Sequence, residues 1–356
     1  MKKARVYVCH TYYHAWIAMV KELLLPKEEQ KKATLILSKL SNDFGNLDER
    51  MRKSGLFEEV FMYEEKADTQ FPQLEKYRKD TGNIITNMWN RIIFTKKFGK
   101  LLEADVPVDF KQYQDIYVFC DSDPIGYYLS YKKIYYHALE DGLDTLKYCD
   151  QARVTNRGHF GMKAWMAAHN LIFIENGYAK YCLDMEVNDI SACPNPLPNF
   201  IEQPRNVMYD RLQPEDRRLL VKVFLEKIDQ LEEQLKAAPA EVPKNLILTE
   251  PLCTLDIREQ IFRDVIEEYC QDAVAIIKPH PRDELDYKNV FKDQIVIEGK
   301  FPMEVLNFIP EMKFDKVISV FTVPGSIQFS GEVIFLGQDF MDKYEAPEIH
   351  RVNDYI

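Results

Sequence analysis

Three short clusters in this chain set chemically useful side chains where a strand-like run ends. The first is Glu140-Asp141-Gly142, which follows the apolar run around residues 133–137. Adjacent carboxylates on a tight turn point in different directions, so one can face a substrate while its neighbour holds the loop. The glycine permits the turn and lets a ligand approach the backbone. A carboxylate there can take a proton as general base; a surface turn with a capping acid before a helix over 144–148 is the alternative. The second cluster, Lys278-Pro279-His280-Pro281-Arg282-Asp283, closes the run at 274–277. Two prolines fix the backbone around one histidine with a cation on either side, which suits an imidazole offered to a phosphate. The third runs from Val317 through Ser319, Phe321 and Thr322 to Pro324-Gly325-Ser326. Hydroxyls and backbone N–H groups at such a turn can hold a phosphate or simply cap a helix.

The elements needed to position these clusters emerge from periodicity. Strand-like runs at 5–9, 34–38, 60–63, 116–120 and 133–137 alternate with helical stretches near 16–25 and 49–53, and a helix-rich, aromatic and basic stretch at 70–105. That alternation predicts βαβ units and a parallel sheet. A second cycle opens with one helical stripe over 212–235, whose apolar positions are 219, 220, 223, 224, 228, 231 and 235. Pro214 stands near its start, where proline is tolerated. After a breaker segment at 237–243, strands are expected at 245–248, 273–277, 295–297, 317–320 and 333–336. The proline-rich stretch Cys193-Pro194-Asn195-Pro196-Leu197-Pro198 marks a domain boundary near 195, giving domains 1–195 and 196–356.

Composition narrows the class. A hydrophobic share of 46% with 29% charged residues supports a packed core in each half. The formal charge of −11 argues against a nucleic-acid binder, which needs a dense basic face. Basic residues precede the apolar run at the N-terminus, but the run stops at Cys9 and His10, too short for a secretory signal. No run of eighteen apolar residues occurs. The seven cysteines (9, 120, 149, 182, 193, 253, 270) lack CxxC spacing and read as reduced thiols of a cytoplasmic protein. His10, Thr11, Tyr12, Tyr13 and His14, placed after the first strand, are expected to line a cleft, where aromatic rings can stack on a ligand; a loop packed on the core, or metal ligands at helical spacing with Cys9, are the alternatives. Asp121-Ser122-Asp123 matches the Asp-x-Asp pattern of metal-dependent UDP-sugar enzymes, although a helix cap before Pro124 explains it equally well.

In order and spacing, the three clusters resemble the bacterial sialyltransferases of GT-B fold, above all the lipooligosaccharide sialyltransferase branch (glycosyltransferase family 52-like), with polysialyltransferases as cousins. Leu248-Thr249-Glu250-Pro251-Leu252 is similar to that family's strand-end "TQPL", with Glu250 replacing Gln, and Phe301-Pro302-Met303-Glu304 is similar to its Pro-x-Glu element. The resemblance covers mainly residues 133–142 and 245–330, and the third cluster departs from it, since Phe321-Thr322-Val323 stands where the family often has adjacent serines. It implies an α/β fold of two Rossmann-like doubly wound domains facing a cleft, acceptor-binding in 1–195 and nucleotide-sugar-binding in 196–356. It implies Glu140 as general base, Asp141 as the second catalytic acid supporting the loop, Gly142 among the donor-binding residues, His280 near the donor phosphate, and His10, Thr11, Tyr12 and His14 on the acceptor. Lys278, Pro281, Ser319, Thr322 and Ser326 would surround that phosphate, Glu304 after Pro302 would hold the ribose hydroxyls, and Thr249 with Pro251 would border the nucleotide.

The activity implied is inverting transfer of sialic acid from CMP-sialic acid to a surface glycan such as lipooligosaccharide or capsule. A nucleoside monophosphate leaving group needs no metal when protein donors neutralise it, and no cofactor is expected. CMP-Kdo, a UDP-sugar or CDP-glycerol as donor, or a non-catalytic nucleotide- or glycan-binding relative, are the rivals. The expected partners are the nucleotide-sugar donor and the glycan acceptor, with no nucleic acid, peripheral contact with the inner face of a membrane, and a homodimer as the candidate oligomer.

Overall fold

The computed structural model describes residues 2–119, 121–122, 124–142, 146, 150–297, 299–310, 312–322 and 324–351. The chain divides into two compact units, residues 1–212 and residues 213 onward. In unit one, seven strands form one all-parallel sheet: β1 (Lys3–Cys9), β2 (Ala33–Ser38), β3 (Glu59–Tyr63), β4 (Tyr113–Phe119), β5 (Tyr136–Leu139), β6 (Cys182–Val187) and β7 (Phe200–Glu202). Their order, β3-β2-β1-β4-β5-β6-β7, reverses direction between β1 and β4, where Val6 sits beside both Thr34 and Ile116. The central strands are buried on both faces, so β1 and β2 are almost unbroken apolar runs rather than alternating ones. Tyr136, Val118, Val6 and Ile36 pass the core from strand to strand.

Unit two repeats the plan with β8 (Lys244–Leu248), β9 (Val274–Lys278), β10 (Ile295–Val296), β11 (Phe314–Ser319) and β12 (Ser330–Phe335), in the order β10-β9-β8-β11-β12, again all parallel. Its reversal falls between β8 and β11. Ile247, Ile277, Ile318 and the helix Leu255–Tyr269, through Ile261, Phe262 and Val265, make its core. Both units are therefore doubly wound α/β sheets, as the alternation of runs predicts.

The structure corrects the sequence reading at four points. The boundary expected near 195 lies at Leu212/Gln213, because the proline-rich stretch leads into β7, which pairs with β6 in the first sheet. The strand expected at 133–137 is Tyr136–Leu139, so Glu140 comes directly after it. The single helix over 212–235 is two, Pro214–Phe224 and Ile228–Ala237, parted where Leu225 turns extended. Finally, β6 and β7 have no counterpart among the expected strands. Within β6, Asp184 and Glu186 interrupt the apolar pattern, yet both carboxylates are paired: Asp184 with His137 at 2.9 Å, Glu186 with Lys21 and Arg205 at 2.5 Å each.

The helix Tyr12–Leu23 packs on the switch point of the first sheet and carries His14 to its carboxyl edge. Thr11 caps it by accepting the His14 N–H at 3.1 Å. A buried ion pair anchors it to the sheet: Arg5 donates twice to Glu22, at 2.8 and 3.1 Å, and Tyr7 donates to the same carboxylate at 2.9 Å. Cys9, Cys182, Cys193, Cys253 and Cys270 are free thiols, while Cys120 and Cys149 lie outside the described residues. Among the described residues no helix is long and apolar enough to cross a membrane.

Gly126, in the helix Pro124–Lys132, is required by packing. A Cβ there would stand 1.9 Å from the Asp121 carbonyl oxygen and 2.7 Å from the Phe173 ring. Gly126→Ala is expected to cost roughly 2–3 kcal/mol by overpacking, read as a lower urea midpoint at unchanged slope.

Candidate active site

At the carboxyl edge of the first sheet, the two adjacent acids have different surroundings. Glu140 is 4% exposed. Its carboxylate accepts the Asn188 N–H at 2.7 Å, and its own N–H donates to the Glu186 carbonyl, tying the end of β5 to the end of β6. Asp141 turns the other way, toward the helix Tyr12–Leu23. His14 Nε2 lies 2.6 Å from the Asp141 carboxylate, whose side chain stays 34% exposed.

The His14 tautomer is set by its second nitrogen. Nδ1 accepts the backbone N–H of His10 at 3.0 Å, so the proton sits on Nε2 and is donated to Asp141. The ring stacks on Phe119, centroids 4.6 Å apart. Behind it, His10 Nε2 meets the buried Glu65 carboxylate at 2.7 Å. Glu65 also accepts the Ser38 hydroxyl at 2.6 Å and the Ile125 N–H at 2.8 Å. The ends of β1 and β2, the loop after β3 and the helix Pro124–Lys132 thus converge on one carboxylate, which holds the segment carrying His14. This is the crevice beside a switch point where parallel sheets gather ligands.

Of the residues expected to line an acceptor site, His10 and Tyr12 are buried in this framework and Thr11 is the helix cap. Tyr12 donates to the Asp43 carbonyl at 3.3 Å. His14 is the one that reaches the Asp141 carboxylate. In the Asp-x-Asp segment, Asp121 is 1% exposed and accepts the Tyr136 hydroxyl and the Asn176 N–H, each at 2.9 Å; burial pushes its carboxyl up to about 7. Asp123, Val323 and the helix expected at 144–148, apart from Leu146, lie outside the described residues.

In unit two the histidine loop is built on a buried ion pair. Arg258 donates to Asp283 at 2.5 Å, and to the carbonyls of Leu252 and Cys253 at 2.7 and 2.9 Å. Asp283 also accepts from Tyr287 at 2.7 Å and Thr249 at 3.2 Å. Thr249 in turn accepts the His280 N–H at 3.0 Å. His280 Nδ1 accepts the Arg282 N–H at 3.1 Å, which again leaves the ring proton on Nε2. Burial, then Lys278 and Arg282, drive the His280 imidazolium down to about 3, so the ring is a neutral N–H donor. Lys278 turns inward: its ammonium donates to the Phe301 carbonyl at 2.9 Å and lies 4.5 Å from the Phe301 ring centre, and burial lowers it to about 8. Pro302 and Glu304 are buried beside it, and burial raises the Glu304 carboxyl. Pro251 is exposed and Pro281 half-buried at the rim.

The third cluster is organised by Glu250, the residue that departs from the Gln of the resembled motif. Its carboxylate accepts the Phe321 N–H at 3.0 Å and the Thr322 hydroxyl at 2.6 Å, while the Ser319 hydroxyl donates to the Thr322 carbonyl at 3.1 Å. The Ser326 carbonyl accepts from Asn307 at 2.8 Å. Sequence reasoning missed the Arg258–Asp283 pair, Glu65, and the partnership of His14 with Asp141, which lies 127 residues on.

Residues 59–332 match the family described as Glycosyltransferase family 52. An uncharacterised protein of Haemophilus influenzae is 30% identical over 106 residues, 28% of this chain, and the chain spans about a third (34%) of that relative's length. Among solved structures, an α/β-galactoside α-2,3-sialyltransferase of Photobacterium phosphoreum superposes with a TM-score of 0.54 at 13% identity, over 94% of this chain and 91% of its own. A 2,6-sialyltransferase of a Photobacterium species, solved with CMP and lactose, gives 0.50 at 10% identity, over 93% and 71%. At such identities these likenesses show the fold, which is GT-B-like.

Burial pushes Glu250 from the ordinary 4.5 up to about 7. The folded chain therefore keeps an extra proton between those values, and stability falls as pH rises through that window. Glu250→Gln removes the ionisable group and keeps an acceptor oxygen. The variant should melt with a flatter pH dependence from about pH 5 to 8, and at about pH 8 exceed the parent by roughly 1–3 kcal/mol in denaturant titration.

Proposed function

The chain belongs to glycosyltransferase family 52, and from that membership we propose that it transfers sialic acid from CMP-sialic acid to a hydroxyl group of a surface glycan, with inversion and without a metal. The Photobacterium relative captured with CMP and lactose supports the same two ligand classes for this chain. The observation that carries the chemistry is the His14–Asp141 pair: a partly exposed carboxylate held at 2.6 Å by an imidazole whose tautomer is set from behind.

In this proposal Asp141, and not Glu140, is the general base. A base must touch the acceptor hydroxyl, and Glu140 is buried against the Asn188 N–H. His14 orients the Asp141 carboxylate, which stays 34% exposed and is the group that takes the proton. As that proton leaves the acceptor, the acceptor oxygen bonds to the anomeric carbon and the bond from that carbon to the phosphate oxygen breaks, its electron pair departing with CMP. Unit two takes the nucleotide. His280 offers Nε2–H to the phosphate as a neutral donor, and the backbone of the loop toward Ser326 adds further N–H donors. Glu304 and Thr249, with the prolines 251, 281 and 302, surround the nucleoside. Lys278 acts as a positioning cation through the Phe301 carbonyl.

Asp141→Asn is expected to lower turnover about 10²–10⁴-fold, the ordinary contribution of a positioned base, with CMP affinity held within a few-fold. Glu140→Gln should instead lower the melting temperature and change turnover far less; equal losses of turnover in the two variants would overturn the assignment. His280→Ala should weaken both CMP binding and turnover. A thermal-shift panel of CMP, CDP, UDP and GDP, with and without chelator, tests the donor: stabilisation by CMP, unaffected by chelator, is expected, and stabilisation by UDP that chelator abolishes refutes it.

A further inference from the structure

Near the end of β6, one carboxylate is shared by two cations. Glu186 accepts from Arg205 through one oxygen and from Lys21 through the other, at 2.5 Å each. Lys21 lies in the last turn of the helix Tyr12–Leu23, seven residues after His14 and on the same side. Arg205 opens the helix Arg205–Asp210 and is 2% exposed. Its backbone N–H donates to the Asn188 side-chain oxygen at 2.9 Å. The Asn188 N–H donates to the Glu140 carboxylate at 2.7 Å, and the Glu140 N–H returns to the Glu186 carbonyl at 2.9 Å. Arg205, Asn188, Glu140 and Glu186 thus close a ring, and the residue that follows Glu140 is Asp141.

Packing alone does not ask for arginine here. Nε and Nη2 of Arg205 find no acceptor among the described residues. A buried guanidinium with unfilled donors is costlier than an apolar side chain of similar volume. What the position supplies is charge: burial works to lower the guanidinium, yet Tyr13, Glu186 and Glu140 together hold it above its ordinary value. One cation therefore faces Glu186, which holds Lys21 and the helix of His14, and Glu140, which precedes Asp141.

We propose that Arg205 is a positioning residue for the transfer reaction: by joining Glu186 to Asn188 it locks the end of β5 to the helix Tyr12–Leu23 and holds the Asp141 carboxylate at its 2.6 Å contact with His14. This rests on Asp141 being the base, and adds the residue that keeps the base in place. A reacting group misplaced by about 1 Å can cost on the order of 10² in rate, so a tie remote from the substrates bears on turnover. Glu140→Gln keeps an acceptor for the Asn188 N–H and leaves the ring closed. Arg205→Met cuts it at Glu186.

The test compares the full-length parent, D141A, R205M, R205M/D141A and R205K in thermal melting and in transfer from CMP-sialic acid to lactose. D141A should lower the melting temperature of the parent by roughly 2–6 °C, through the lost His14 contact. In the R205M background the same change should cost less than about half of that, because residues joined in one network are not additive. R205M should lower kcat about 10–10²-fold with KM for CMP-sialic acid held within about twofold. R205K, which restores the cation and one donor, should recover most of that loss. Should R205M not fold, E186Q, which weakens both bridges, carries the same cycle. Additive melting losses would overturn the proposal, as would an unchanged kcat in R205M where D141A is inactive. A parent without transfer, or a D141A as active as the parent, removes the base assignment instead, and the melting cycle then decides the positioning alone.

Discussion

A parallel sheet brings every strand out on the same edge, and in both units the loops on that edge are tied to one another by buried carboxylates. Glu65 joins the ends of β1 and β2 to the helix Pro124–Lys132, and Glu140 joins β5 to β6. Asp121 joins the end of β4 to Tyr136 of β5 and to Asn176. In unit two Glu250 joins β8 to the loop after β11, and Asp283 joins that after β9 to Thr249 and Arg258. A buried carboxylate costs several kcal/mol unless its oxygens find donors. Each of these finds them on a neighbouring loop, so the cost is met only when the loops are in register. With neutral donors, as at Asp121 and Glu250, the proton is held up to about 7.

That arrangement also explains why two neighbouring acids differ in character. Successive side chains leaving a strand point to opposite sides, so Glu140 enters the sheet edge while Asp141 meets the helix Tyr12–Leu23. The two candidate histidines are then held alike. His14 and His280 each accept a backbone N–H on Nδ1, from His10 and Arg282 respectively, and so present Nε2–H. Neither backbone contact depends on the charge of another side chain. Both rings are therefore set as hydrogen-bond donors by local chain geometry.

The parts of the fold that can be read along the chain are those whose signal is local. β1, β2, β4, β8, β9 and β11 are apolar because they are covered on both faces, and the clusters at their ends stand out against that background. β6 is not legible, because Asp184 and Glu186 have the look of a loop until His137, Lys21 and Arg205 are brought beside them. The candidate site divides in the same way. Glu140, Asp141 and His280 are visible as motifs, but which acid is buried is decided by Asn188 and His14, residues far along the chain. Lys278 reads in the sequence as a cation for phosphate, and only its neighbour Phe301 shows where the ammonium goes. The small satellite core of unit one is likewise hidden in the sequence, since Met88 and Ile92 are unremarkable until they are packed on Met166.

The substitution at Glu250 changes what the third cluster can offer. Thr322 gives its hydroxyl proton to Glu250 and Ser319 gives its own to the Thr322 carbonyl. Each hydroxyl has a single proton, so in this arrangement neither can donate to an incoming phosphate. Glu250 also draws the Phe321 N–H inward. An anion approaching this loop would therefore meet lone pairs from those two hydroxyls, and must take its hydrogen bonds from other backbone N–H groups and from His280 Nε2. A glutamine at 250 accepts through one oxygen and adds donors of its own, which lets Thr322 turn its proton outward. Carboxylate or amide at this single position thus decides whether the hydroxyl cluster faces a phosphate as donor or as acceptor, and protonation of Glu250 moves the carboxylate toward the amide's behaviour.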